Sequence, residues 1–363
     1  MFPRSETDFG IAPWLLSYIK ELENLGLGNI VLAPSYKGLG AHRVFDVDVR
    51  RFRYFIKRFE RLTHEENAPA RIRRKPVYSF ELPFFLLCGY NGVKKIIEKD
   101  KPDLVHIHWP FPMVFVGASA FGKLPVVLKF YSAELALLRK FRIFKPAFSY
   151  YVKKSSLLLA NSSFTQKLII DEFGCPSEIL YDGYFFPENP PEVVFPEPSK
   201  RKEILFVGRL VERKGIEYLI KAVAMIGDKL DIQLKIIGDG PELSDLQILT
   251  KDLSVESRVV FCGRIPDDER NRAYKECDLF VLPACYDRHG DTEGLGTVLL
   301  EALSAGKPVI GTNVGGIPDI IKDNQTGLLV PEKNPEALAN AIEKILSNRE
   351  LYIKLARTGF EYT

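Results

Sequence analysis

The stretch DTEGLGTVLLEALSAGKPVIGTNVGG, residues 291–316, lays a loop, a short helix and a buried strand end to end. Thr292-Glu293-Gly294-Leu295-Gly296 opens it, and two glycines one residue apart let the backbone approach a ligand with no side chain in the way. Leu299, Leu300 and Leu303 follow at helical spacing, so one face packs inward while Glu301 points elsewhere. Gly306-Lys307-Pro308 then stops the helix, and Val309-Ile310-Gly311-Thr312 reads as a short buried strand.

Glu293 and Glu301 stand eight positions apart in this unit. A wholly helical interval of that length would separate their Cα atoms by about 12 Å, too far to share one proton or one metal. It suits the two ends of a long ligand, with the N–H groups and positive dipole end of a helix start offered to an anion between them. Sugar, diphosphate and ribose in a row make such a molecule. On residue types alone, a solvent-facing Glu301 and an ordinary loop Glu293 fit the pattern equally well.

At 363 residues the chain exceeds one simple core and points to two domains. Its 46% hydrophobic and 27% charged residues are ordinary for a soluble globular protein, and a net charge of +3 does not call for nucleic acid. Five cysteines with no C-x-x-C pair fit a reduced, cytoplasmic setting. No signal-peptide pattern opens the chain and no apolar run reaches the roughly 20 residues that span a bilayer, so membrane contact is expected to be peripheral at most. The most apolar stretch of the first half, residues 80–90, is short and holds Glu81 and Pro83.

Residues 14–25 read as an amphipathic helix ending at Gly26, and residues 29–33 as a strand closed by Pro34. No strand precedes that helix, although crossover helices join two parallel strands. From Arg50 to Lys75 basic residues are opposed only by Glu60, Glu65 and Glu66, with Phe52, Tyr54, Phe55 and Phe59 interleaved. Such a stretch lies on an anionic membrane surface, receives an acidic acceptor, or forms a solvated loop and helix face. Residues 103–110 then make a strand ending in turn chemistry, whose alternation sends His106 and His108 to one face. His108 and Trp109 stand at its carboxyl end, where open α/β sheets bind ligands. Two histidines two apart with no third ligand nearby do not make a metal site. Residues 125–130 form the next strand, leading into Tyr131-Ser132-Ala133-Glu134, and residues 156–160 another, leading into Asn161-Ser162-Ser163 as a helix cap.

Residues 184–200 carry Pro187, Pro190, Pro191, Pro196 and Pro198 without periodicity, which suits a stiff linker between domains at 1–183 and 201–363. The second half restarts the alternation, with strands at 203–208, 233–237, 259–262, 279–282 and 309–310 and helices at 216–225 and 241–249 among them. Strand-helix units in both halves predict an α/β protein of two parallel-sheet domains facing each other across a cleft. In Phe206-Val207-Gly208-Arg209-Leu210, Arg209 leaves the strand at the ligand edge, and Lys214 sits just before the next helix. A forked guanidinium and a mobile ammonium there suit a diphosphate. The Gly-Lys-Ser/Thr end of a Walker loop is absent. Gly238-Asp239-Gly240-Pro241 makes a second strand-exit turn, in which Asp239 reads as a plain turn residue.

Together these residues resemble the retaining glycosyltransferases of family 4, with their GT-B architecture of two Rossmann-like domains. The resemblance covers nearly the whole chain and is densest over residues 204–330. It rests on the Phe206 to Leu210 strand with Lys214-Gly215, the Gly238 turn, the E-x7-E spacing of Glu293 and Glu301, and Gly306-Lys307-Pro308 leading to Gly315-Gly316-Ile317-Pro318. It implies a UDP-, GDP- or ADP-sugar donor bound by the second domain, an acceptor bound by the first, and neither metal nor cofactor. Arg209 and Lys214 would neutralise the diphosphate as the sugar leaves, the electrostatic part of catalysis. Glu293 would contact the donor sugar and Glu301 the ribose hydroxyls. Gly208, Gly238 and the backbone N–H groups of Gly294, Leu295, Gly296 and Thr297 would complete the donor site, with Arg264 and Ile265 near the base. His108, Trp109 and Tyr131 are the acceptor-side candidates. Retention would not follow the two-carboxylate logic of glycosidases.

The chain departs from the family pattern in three places. Tyr131 stands where the family usually has a His, and a phenol with a pKa of about 10 is a poor base at neutral pH. The opening strand and much of the glycine-rich acceptor loop are missing, and the last residues stop short of the usual terminal helix, which predicts a trimmed chain. The leading expectation is a metal-independent, hexosyltransferase-type enzyme of the cytoplasmic side, acting on a lipid-linked or cell-envelope glycan, with peripheral contact to an anionic membrane. A nucleotide-sugar-binding protein without transfer activity, and a nucleotide-sugar epimerase, are the alternatives.

Overall fold

The computed structural model describes residues 2–5, 13–63, 68–183, 191–197 and 201–363. Contacts divide the chain into two units, Met1–Asn161 with Thr165–Gly183, and Ser162–Phe164 with Tyr184–Thr363.

The first unit holds seven strands among its described residues: β1 (Ile30–Pro34), β2 (His42–Val44), β3 (Val47–Phe52), β4 (Val105–His108), β5 (Val126–Phe130), β6 (Leu157–Ala160) and β7 (Glu178–Ile179). Strands β4-β5-β6-β7 form a parallel sheet in that order. A second sheet has the order β1-β3-β2, with β3 parallel to β1 and antiparallel to β2. This hairpin is absent from the sequence reading, which takes residues 50–53 as part of one basic stretch. The reason is a period of two hidden under the charge. Val44, Val47 and Val49 are fully buried with Leu15, Leu16 and Ile19 of helix Pro13–Asn24, while Arg50 turns to the other face and pairs with Asp100, and with Asp48 at 3.2 Å. Arg51 donates to the Pro3 and Pro34 carbonyls, and Arg53 Nε lies 2.7 Å from Glu60 Oε1. Much of the basic run is therefore consumed inside the unit. Residues 64–67, with Glu65 and Glu66, lie outside the described residues.

The second unit is one six-stranded parallel sheet: β8 (Lys202–Val207), β9 (Ile232–Ile237), β10 (Val259–Gly263), β11 (Leu279–Leu282), β12 (Val309–Thr312) and β13 (Leu328–Val330), in the order β10-β9-β8-β11-β12-β13. Ile204, Leu205 and Phe206 are all fully buried, as expected for a strand covered on both faces. Helix Ile216–Ile226 buries Ile216, Leu219, Ile220, Val223 and Ile226, a 3.6-residue stripe. Of the proline-rich linker, residues 191–197 are described; Val193 and Phe195 pack on this unit's core, while 184–190 and 198–200 lie outside the described residues. Strand β8 has β9 on one side and β11 on the other. The order reverses there, and in open α/β sheets that places the ligand crevice outside the carboxyl ends of β8 and β11.

Candidate functional site

Two loops meet at that reversal. The one after β8 runs through Gly208 and Arg209 to a short 3-10 turn, Glu212–Lys214, and the one after β11 runs to Gly296, where helix Thr297–Ser304 begins. Arg213 Nη1 lies 3.3 Å from Glu293 Oε2 and donates to the Thr292 carbonyl at 3.3 Å, and Lys214 Nζ bonds the same carboxylate oxygen. Burial alone would raise the Glu293 carboxyl, but Lys214 and Arg213 outweigh it and hold the group below its usual range. The backbone of Glu293 is clamped as well. Its carbonyl accepts from Gly316 N at 3.0 Å, and a Cβ on Gly315, at φ +55°, would land on that oxygen.

Lys214 is thus no mobile ammonium: it is buried and already engaged by Glu293. Arg213, given no role in the sequence reading, is the third member of the cluster. Three cations stand within residues 209–214, and only the 3-10 turn decides that 213 and 214 face the β11 loop while Arg209 is exposed. The interval from Glu293 to Glu301 is helical only from Thr297, so the 12 Å spacing of a continuous helix does not apply.

The exits of β8, β9 and β10 are laced together by backbone. Gly208 N donates to Ile237 O at 3.0 Å, Leu210 N to Asp239 O at 3.1 Å, and Gly238 N to Gly263 O at 2.8 Å. Gly238 has φ +138°, and a Cβ there would land on the Gly208 carbonyl oxygen, so only glycine permits this approach. Asp239 does keep its turn role, its Oδ1 accepting from Gly240 N at 2.8 Å, and its Oδ2 also lies 3.6 Å from Arg264 Nε. Arg264 is exposed, and Ile265 packs half-buried against the core.

Glu301 is not solvent-facing: its side chain is 14% exposed. Arg270 Nε stands 3.9 Å from Glu301 Oε2, and that oxygen is buried with no hydrogen-bond partner. Burial lifts this carboxyl above its usual range, with a Tyr274 hydrogen bond and Arg270 opposing the lift. It is an acceptor in want of a donor. Gly208, Arg209, Lys214, Gly238, Arg264, Ile265, Glu293, Gly294, Leu295, Gly296, Thr297 and Glu301 all follow from strand exits on one edge of the sheet.

In the first unit, His108 and Tyr131 leave the carboxyl ends of β4 and β5, and His108 Nδ1 lies 2.5 Å from Tyr131 Oη. The His106 and His108 rings stack at 4.2 Å, as the strand period requires. Trp14 joins Trp109 and Tyr131, with ring centroids 5.5 and 5.0 Å from its own. Behind them Lys129 is buried against Asp182 at 2.9 Å, its ammonium 5.7 Å from the Trp14 ring and 5.6 Å from that of Tyr131. Burial, with Lys129 adding to it, pushes His106 down to about 4; burial, His106 and Lys129 hold His108 well below its usual value. Tyr131 is driven far up, chiefly by burial. Tyr18, its ring 5.9 Å from that of His108, joins Trp14 and Lys129 as the members that sequence reasoning missed, because nothing local marks two helix residues and a buried strand lysine as neighbours of these strand ends.

Among the described residues no helix is long and apolar enough to cross a membrane. The profile of the family described as Glycosyl transferases group 1 matches residues 192–362, and that of Glycosyltransferase Family 4 matches residues 10–183. An uncharacterized glycosyltransferase of Methanocaldococcus jannaschii is 29% identical over 283 residues, covering 77% of this chain and 75% of that protein. A GDP-mannose-dependent alpha-(1-6)-phosphatidylinositol monomannoside mannosyltransferase of Mycobacterium tuberculosis is 33% identical over 216 residues, covering 55% of each chain. Among solved structures, a sucrose-phosphate synthase of Thermosynechococcus elongatus superposes with a TM-score of 0.72 at 22% identity, over 95% of this chain and 87% of that one. Anabaena HepE in complex with UDP and glucose superposes with a TM-score of 0.64 at 19% identity, over 87% and 81%.

Proposed function

The chain belongs to the GT-B, group 1 family of glycosyltransferases, and from that premise we propose that it moves a hexose from a nucleotide-diphosphate sugar to a lipid-linked or cell-envelope glycan. The configuration at the sugar carbon is retained, no metal takes part, and the reaction runs at the cytoplasmic side of a membrane. The observation that carries this reading is the meeting of Arg213 and Lys214 with Glu293 at the sheet's reversal point, beside the start of helix Thr297–Ser304 and with Arg209 exposed on the same loop.

In this reading the diphosphate lies between Arg209 and the N–H groups at that helix start. As the bond from the sugar carbon to the phosphate oxygen lengthens, negative charge grows on the diphosphate and these preorganised donors meet it. Glu293, kept ionised and aimed by Lys214 and Arg213, accepts from hydroxyls of the donor sugar. Glu301 Oε2 takes a ribose hydroxyl as the donor it lacks. Tyr131 stays protonated and serves with Trp14, Trp109 and His108 as a polar-tipped aromatic wall for the acceptor, not as a base.

The relatives point to two donor classes, since the mycobacterial enzyme is named for GDP-mannose and the Anabaena structure holds UDP. A thermal-shift panel of UDP, GDP and ADP with their sugars decides among them. One nucleotide at about one hundred times its dissociation constant should stabilise by ~2.7 kcal/mol, several degrees of melting temperature. In an Arg209→Ala, Lys214→Ala double variant, read against its own melting temperature, the shift should vanish. A cooperative melt with no shift for any nucleotide would instead favour a protein that has lost its donor site.

A further inference from the structure

We propose that the first unit carries a docking face for an anionic lipid bilayer, built from the turn Lys57–Phe59, the short helix Pro76–Glu81 and the first turns of helix Leu82–Asp100. The inference rests on the reading above in one respect: a lipid-linked acceptor would be met at this face.

Six apolar side chains are exposed on these elements, Ile56, Phe59, Val77, Phe80, Phe84 and Leu87, with Val77 and Phe80 at 74% each. The Phe55 ring bridges Phe59 at 6.4 Å and Phe84 at 5.6 Å, and Val77, Phe80, Phe84 and Leu87 recur at three- and four-residue spacing along two consecutive helices, which puts them on one face. Single exposed apolar residues need no explanation, whereas a contiguous patch marks an interaction site. Along helix Leu82–Asp100 the exposed face begins with Phe84 and Leu87 and turns charged at Lys94, Lys95 and Glu98. The apolar end is the end beside the turn.

Cations rim the patch. Lys57, Arg58 and Lys75 are exposed, and the Arg58 guanidinium lies 4.6 Å over the Phe59 ring. Among the described residues of 53–63 and 68–87 the only carboxylates are Glu60 and Glu81, and both are buried. Glu60 holds the turn in place. It accepts from Ser35 Oγ at 2.9 Å, Gly38 N at 2.8 Å, Arg53 Nε at 2.7 Å and Tyr54 N at 3.2 Å, which ties the turn to the carboxyl ends of β1 and β3. A two-fold contact with a second copy would set this rim of cations against itself. An anionic bilayer supplies opposite charge for the rim and hydrocarbon for the centre.

The test is co-sedimentation of the full chain with phosphatidylcholine vesicles, with and without phosphatidylglycerol, at low salt and at about 1 M salt, where the Debye length shrinks to ~3 Å. Binding should favour the anionic vesicles and weaken with salt. A Val77→Ser, Phe80→Ser variant and an Arg58→Glu, Lys75→Glu variant should each bind at least about tenfold more weakly, with melting temperature and nucleotide shift unchanged. Equal binding by the variants, or no preference for the anionic vesicles, overturns the proposal. So does a concentration-dependent dimer in sedimentation velocity that the apolar variant abolishes, since the face would then belong to a second copy. Vesicle binding that persists while no nucleotide shifts the melt would sink the donor reading and leave the docking face standing.

Discussion

Burial lifts the Glu301 carboxyl, and the folded chain consequently binds its proton more tightly than the unfolded chain does. The ionised group therefore costs stability, a cost absent below the unfolded pKa of about 4 and growing as pH rises through it towards the raised folded value. Glu301→Gln should melt higher than the parent near pH 7, and the difference should close towards pH 4; a differential-scanning pH series measures it. The same variant should lose about tenfold in nucleotide-sugar affinity, since hydrogen bonds to charged groups are worth ~1.5–3 kcal/mol and Gln keeps only a neutral acceptor. Higher stability with undiminished affinity would remove Glu301 from the donor site. Glu293 shows the opposite sign: with Lys214 and Arg213 on it, its stabilising contribution is present above the unfolded pKa and fades as pH falls through the lowered folded value. Residue type and spacing singled out both carboxylates. Their opposite electrostatics depend on neighbours 79 and 80 residues away for Glu293 and on helix Asp267–Glu276 for Glu301, which no local pattern encodes.

Among the elements, the strand-exit turns of the second unit carry the sharpest constraint. Gly238 brings the β9 turn so close to the β8 turn that Gly238→Ala must push the Gly208 carbonyl aside, at a cost of at least about 2 kcal/mol on overpacking alone. Because Gly208 leads directly into Arg209, nucleotide affinity should fall by more than the loss of melting temperature accounts for. Isothermal titration well below the variant's melting point checks this, and an unchanged dissociation constant would detach the turn from the site. Except for the three-residue strand β13 and the helices Pro335–Leu346 and Arg349–Tyr362 that follow it, the strands and helices of this unit were legible because a doubly covered parallel sheet writes itself as apolar runs with turn residues at each end. The β2–β3 hairpin was not, since Asp48, Arg50 and Arg51 interrupt its apolar positions and their partners Asp100 and Pro3 lie far along the chain.

Across the whole molecule, each unit has its own buried core, and the proposed donor residues all belong to the second. Hydrogen exchange followed by mass spectrometry should therefore show nucleotide-induced protection concentrated in peptides covering residues 208–215 and 293–304. Protection confined to residues 105–134 would move the nucleotide to the first unit and overturn the assignment of Arg209 and Lys214.

The sequence by itself determined the fold class and the family, because strand-helix alternation and the ordered glycine turns are local facts that need no third dimension to be read. Tertiary structure alone decided that Lys214 is buried on Glu293, that Arg213 completes the cluster, that Trp14 and Lys129 stand with Tyr131, and that the basic run from Arg50 to Lys75 is partly spent on internal pairs while its remainder rims an apolar face. Each of those contacts joins residues distant along the chain, and whether a charge meets a partner, water or neither is settled only by the packing that surrounds it.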